Sequence, residues 1–328
     1  MRGPVRRSID RAPELLRSCT IMKLLTGAAV ATAPAIWTIR HVASPAVDAW
    51  NPPSLAGARA GRLYARVGGD GDRAVVLLHG LVSSGDVYGA AYDALATTHR
   101  VVVPDLFGFG RSMDEGRSSF SVEDHLEALD ELAHVTGLFD RRWTIGAHSM
   151  GSALALRWAA RHIARIDRVV CWGAPIYASP EAARSMISGS TMARLFALDT
   201  GWAERACAIS CRHRTAAGWL TAALEPTLPV PIARAVSLHT WPAYRDAMRH
   251  LVIETDWHDH LARLDANETS VELVWGTKDK VGDREFGRSL ASTASGTTVT
   301  LIANANHHLP MTHPGICLNQ LTRAITTR

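Results

Sequence analysis

Apolar residues along the chain fall into short continuous runs separated by longer stretches of mixed character. Arg62–Val67 reads as a first strand. Ala74–Leu78 (AVVLL) is uninterrupted, as expected of a strand buried on both faces, and Val101–Val103 is another such run. Trp143–Ala147, Arg168–Trp172, Val271–Trp275 and Thr298–Ile302 complete the series. Helical segments at Val122–Val135, Ser152–His162 and Arg284–Ser292 fall between them. Strands alternating with helices predict an α/β fold with a mostly parallel sheet and right-handed crossovers. One interval breaks the rhythm. From Ala174 to about Leu264 there is no clear strand, and the segment is helical in character, with Trp202, Trp219, Trp241 and Trp257. It reads as a helical cap inserted into the sheet. The expected organisation is an N-terminal segment and linker (1–58), a first part of the core (59–174), the cap (175–264) and a second part of the core (265–328).

Charge changes the picture only at the N-terminus. The chain has 328 residues and a net charge of +4, but residues 1–40 hold seven basic and two acidic side chains, so the rest nets −1. A nearly neutral body without a basic stripe of interleaved aromatics argues against nucleic-acid binding. The basic segment leads into the apolar run Leu24–Trp37. Fourteen helical residues span about 21 Å, short of a hydrocarbon core of about 30 Å, so the run fits a signal-peptide core better than a transmembrane helix. Membrane contact through residues 22–40, or export, is one expectation; a cytoplasmic protein with an ordinary amphipathic helix is the other. Met22 is a candidate start. Residues 44–58, rich in Pro, Ala and Gly, read as a linker. Five cysteines at irregular spacing form no disulfide framework. Cys207 and Cys211 with His213 could suggest a metal site, as could Asp256 to His260, but buried thiols and solvated helix residues are the expected readings.

Four segments carry chemistry. In Trp143-Thr144-Ile145-Gly146-Ala147-His148-Ser149-Met150-Gly151-Ser152 an apolar strand runs straight into Ser149 and a helix follows. A serine at so sharp a strand-to-helix turn is held in a strained conformation, with small residues, here Ala147 and Gly151, two positions to either side. The helix N-terminus supplies free N–H groups, and that of Met150 would point at a developing oxyanion. His79-Gly80-Leu81 follows a buried strand, and the Leu81 N–H would be the second oxyanion donor; such donors contribute about 3–4 kcal/mol each. His79 itself is expected to be structural. Asp279 lies just past a strand end, where an acid can orient a histidine; Asp283 is a weaker rival. Asn304-Ala305-Asn306-His307-His308 follows the last strand and offers either histidine as general base, with His313 a further candidate.

These segments together resemble the capped serine hydrolases of the α/β-hydrolase family. The order Ser149, Asp279, His307 matches that family's nucleophile, acid and base. Its elbow corresponds to Ala147-His148-Ser149-Met150-Gly151, with Ala147 where the family usually has glycine. Its structural loop corresponds to Asp105-Leu106-Phe107-Gly108-Phe109-Gly110-Arg111-Ser112, so Asp105 is expected to shape a loop rather than serve as the acid. The family's Gly-x-Gly-His aligns with Asn304-Ala305-Asn306-His307, the asparagines replacing glycines because Asn tolerates left-handed backbone; this favours His307, with His308 as the alternative base. The resemblance covers about residues 60–328.

The implied chemistry is acyl transfer without metal or cofactor. A serine nucleophile argues against the dehalogenase and epoxide hydrolase branches, which use Asp. Hydrolysis of a carboxylic ester, or a related acyl bond, of a small apolar substrate is the first expectation. Hydrolysis of a carbon–carbon bond in a ring-cleavage product is the alternative, and would want a cap arginine such as Arg184, Arg194 or Arg205. A ligand-binding homologue without catalysis is the third reading. Ser83, Ser84 and the stretch Trp172 to Tyr177 are candidates to line the pocket.

Overall fold

The computed structural model describes residues 45–189 and 201–323. Its centre is an eight-stranded sheet in the order β1-β2-β4-β3-β5-β6-β7-β8. The strands are β1 Gly57–Ala60, β2 Leu63–Gly68, β3 Arg73–Leu78, β4 Arg100–Pro104, β5 Arg142–His148, β6 Ile166–Trp172, β7 Ser270–Gly276 and β8 Thr297–Ile302. At one edge β2 pairs antiparallel with both β1 and β4, and the other five pairs are parallel. The expected runs fall within these strands, except that Arg62, expected to open the first, belongs to the turn before β2. Every residue of β6 is buried, and in β3 only Arg73 is exposed. Alternate residues serve opposite faces: Val76 and Leu78 join the cluster beneath the helices Val122–Val135 and Gly151–Arg161, while Val75 and Leu77 pack with Tyr88, Tyr92 and Leu321 on the other side.

The stretch read as a linker is partly structured. Pro45–Ala49 is a short helix, Ala46 is buried, and the Trp50 indole N–H donates to the Asp86 carbonyl at 2.8 Å. β1 was hidden because Gly-Ala-Arg-Ala has no apolar run to announce it. It exists by pairing with β2 across a turn at Gly61, whose φ is 63°. The apolar run Leu24–Trp37 and the possible start at Met22 lie outside the described residues, as does Arg194.

Between β6 and β7 the described chain is helical: Pro180–Ile187, Gly201–Arg212, Arg214–Leu224, Val230–Ala235, Trp241–Ala247, a π-helical turn Met248–Ile253, and Trp257–Asp265. This excursion is fastened over the loop that follows β4. Gly110 N–H donates to the Leu238 carbonyl, and Phe120 N–H to Asp246 Oδ2, both at 2.8 Å. Asp256, once a candidate ligand, caps the helix Trp257–Asp265 through Asp259 N–H. No helix among the described residues is long and apolar enough to cross a membrane.

Candidate active site

The parallel strands β3, β5, β6 and β7 end at one edge, and their loops meet there. β5 stops at His148, and Ser149 follows with φ 53°, a left-handed conformation unusual for a side chain bearing Cβ. Its N–H donates to the Trp172 carbonyl at 2.8 Å, and its carbonyl accepts from Ser152 N–H at 2.9 Å to open the helix Gly151–Arg161. Gly151 is required by packing: a Cβ there would lie 2.5 Å from the His79 carbonyl oxygen and 2.6 Å from that of Leu78. A Cβ on Gly80 would come within 3.0 Å of Ser149 Cβ, so the loop after β3 lies directly against the serine. Ala147, in place of the family's glycine, is fully buried in β5 opposite Leu78 and is accommodated. Leu81 and Met150 stand where that loop and the helix begin.

Asp279 follows β7 and is buried. Its Oδ1 accepts from Val281 N–H at 2.8 Å. His307, on the loop after β8, donates from Nδ1 to this carboxylate, 3.0 Å from Oδ2 and 3.1 Å from Oδ1. A proton on Nδ1 leaves the Nε2 lone pair free to accept one. Of the two asparagines expected in left-handed backbone only Asn304 adopts it, with φ 60°, and its N–H donates to Thr277 Oγ1 at 2.8 Å; Asn306 instead accepts from His308 N–H through Oδ1 at 3.0 Å. Gly276 lets this loop press on the end of β7, since a Cβ would lie 2.2 Å from the Ala305 carbonyl oxygen.

The neighbouring candidates sit elsewhere. His308 does not meet Asp279; its Nδ1 is buried without a partner, and burial, then the adjacent His307, push its pKa down to about 4. Asp283 caps the helix Arg284–Thr293 through Glu285 and Phe286 N–H, each at 3.0 Å. His313 contacts Thr312 Oγ1. His79 is fully buried, with Nδ1 donating to the Gly80 carbonyl at 2.7 Å and Nε2 accepting from Leu106 N–H at 2.8 Å, and burial lowers its pKa. Asp105 accepts from Gly85 and Arg111 N–H and so shapes its loop; burial would raise its pKa, but the Arg111 hydrogen bonds outweigh it and hold the carboxyl below its usual range. Ser84 is buried with an unpartnered hydroxyl, while Ser83 is half-buried.

Two residues of the site lie in segments the sequence singled out, the turn at Ser149 and the stretch Trp172 to Tyr177, but had no role of their own there. Nε2 of His148 donates to the His307 carbonyl at 2.8 Å, with the two rings 4.8 Å apart. Gly173, φ 61°, lies beside the acid and base: a Cβ there would fall 2.9 Å from His307 Nδ1 and 3.1 Å from Asp279 Oδ2. Cys207 and Cys211 approach to 3.5 Å, but the nearby ring is His239 rather than His213, and no group of three or more His, Cys, Asp or Glu among the described residues could hold a metal ion.

A cavity of about 300 Å³ lies under the helical excursion. It is bounded by Val82, which follows Leu81, and by Cys207, Thr221, Trp241 and Tyr244. That volume is at the low end of small-molecule sites, about 300–1,000 Å³. A larger cavity of about 600 Å³ lies at the opposite sheet edge, near Arg73 and Arg142, where β3 and β5 begin.

Residues 73–205 match the family model described as alpha/beta hydrolase fold. "Probable lysophospholipase BODYGUARD 3" of Arabidopsis thaliana is 31% identical over 112 residues, 33% of this chain and 22% of that protein, so the match spans about a fifth of its length. Among solved structures, E-2-(acetamidomethylene)succinate hydrolase superposes with a TM-score of 0.61 at 18% identity, over 82% of this chain and 98% of the other. The enol-lactonase from Burkholderia xenovorans LB400 gives 0.59 at 20% identity, over 81% and 97%. The chain has the α/β-hydrolase fold, and the family model matches within its first core segment and the start of the helical excursion.

Proposed function

We propose that the protein is a serine hydrolase that cleaves a carboxylic ester of a small apolar substrate. The observation that carries this reading is the hydrogen bond from His307 Nδ1 to Asp279, at the sheet edge where Ser149 sits with φ 53°. Ser149 Oγ attacks the carbonyl carbon while His307 Nε2 takes its proton. Asp279 holds the ring and stabilises the imidazolium. The N–H groups of Leu81 and Met150 bind the oxyanion. The alcohol leaves with the proton from His307, and a water deprotonated by the same ring then hydrolyses the acyl-enzyme.

Residues 175–264 act as a cap that selects the substrate. Among the described residues lining the 300 Å³ cavity there is no arginine, and Arg184 stands 3.8 Å from Glu254. This favours an uncharged apolar acyl group over the carboxylate-bearing product of ring cleavage. One of the similar proteins is named a probable lysophospholipase and another an enol-lactonase, which supports the same choice. A panel of p-nitrophenyl esters of increasing acyl length, with one vinylogous diketone acid, tests it. The reading expects kcat/KM to peak at an intermediate acyl length; faster turnover of the diketone acid would reverse it.

A further inference from the structure

The helices Gly201–Arg212 and Arg214–Leu224 are apolar on two sides. Their inner sides give Ala203, Ala206, Ala217 and Thr221 to the cavity. Lining the cavity does not explain the outer sides. Trp202, Ile209, Trp219, Leu220 and Leu224 are all exposed, from 53% for Trp219 to 67% for Leu224. They make up five of the eight large hydrophobic side chains exposed among the described residues, all within 23 positions. Single exposed leucines are ordinary, but a cluster marks a docking surface.

The pattern of the cluster indicates what it meets. Trp202, Arg205, Ile209 and Arg212 are all exposed and recur at three- and four-residue steps, forming one stripe along the first helix. Ala216, Leu220 and Leu224 form a second, with Trp219 alongside. The exposed Arg234 lies over the Trp219 ring, 4.4 Å from its centroid. Arginines therefore alternate with tryptophan and long aliphatic side chains, on a body whose residues 41–328 net −1. Amphipathic helices at a bilayer surface have this chemistry: aliphatic groups enter the acyl boundary, indole rings sit at headgroup depth, and guanidinium groups meet lipid phosphates.

We propose that the outer face of these two helices docks on an anionic lipid surface, with Arg205, Arg212 and Arg234 meeting the phosphates. The test is co-sedimentation of the full chain with phosphatidylcholine vesicles, with and without phosphatidylglycerol. Wild type and Ser149→Ala both bind the mixed vesicles, and bind pure phosphatidylcholine more weakly. Leu220→Ser with Leu224→Ser lowers binding by roughly tenfold or more, with the thermal midpoint and the turnover of a soluble ester unchanged. Arg205→Gln with Arg212→Gln weakens binding only where phosphatidylglycerol is present. The proposal is overturned if wild type does not bind, or if the double leucine variant binds as tightly as wild type, which would assign binding to another segment such as residues 22–40. It is also overturned if wild type forms a dimer that the leucine substitutions dissolve while vesicles are ignored, since the face would then join two copies of this chain. Binding by Ser149→Ala needs no catalysis, so this proposal and the hydrolase reading can fail separately.

Discussion

The imidazole of His148 donates from Nε2 to the backbone carbonyl of His307 at 2.8 Å, tying the last residue of β5 to the loop that carries the proposed base. Burial, and then the neighbouring His307 and His308, hold the pKa of His148 well below its ordinary value, so the ring is neutral at physiological pH. Its one ring proton is fixed on Nε2 by this contact. A neutral hydrogen bond of this kind contributes about 1 kcal/mol. His148→Phe is expected to lower kcat several-fold with KM little changed. Steady-state kinetics on a soluble ester check it, and an unaltered kcat would remove His148 from the positioning of the base.

Gly173 leads to a sharper expectation. A methyl group there would crowd His307 Nδ1 and Asp279 Oδ2, in a backbone conformation of φ 61°. Gly173→Ala should cost about 1–2 kcal/mol from the left-handed backbone alone and reduce kcat by far more than that loss of stability explains. Urea unfolding and kinetics on the same preparation separate the two effects.

The two adjacent histidines should differ. His307→Ala is expected to abolish turnover and His308→Ala only to weaken it, because only His307 reaches Asp279. Activity that survives at His307→Ala and disappears at His308→Ala would reverse the assignment.

Acid stability should depend on His125. Both ring nitrogens are buried without a partner among Phe107 and Phe120, and burial pushes its pKa down to about 4. Between about pH 6.5 and 4 the unfolded chain binds the proton that the folded chain refuses, so stability is full above 6.5 and declines as pH falls through this window. His125→Leu should flatten that decline without loss at neutral pH, since it removes polar atoms that have no partner. Urea midpoints at pH 5 and pH 7.5 decide it; equal slopes for both proteins would reject the assignment.

How much could be read in the sequence follows from how local each signal is. The buried strands announced themselves as apolar runs, and the turn at Ser149 by a strand running into a helix. β1 was not legible because its four residues become a strand only by pairing with β2. His307 and His308 could not be separated by spacing alone, because they are neighbours and only the contact with Asp279, 28 residues earlier, distinguishes them. His148 acquires its partner across 159 residues. His213, near Cys211 in sequence, gave way to His239, brought to Cys207 by the returning chain.

The central claim is that Ser149 is a nucleophile activated through His307 and Asp279. Its most direct test is labelling with a fluorophosphonate probe, followed by mass spectrometry of the modified peptide. Wild type should be labelled at Ser149, Ser149→Ala should be unlabelled, and His307→Ala should label far more slowly. A wild-type protein that resists the probe and turns over no short acyl ester would contradict it.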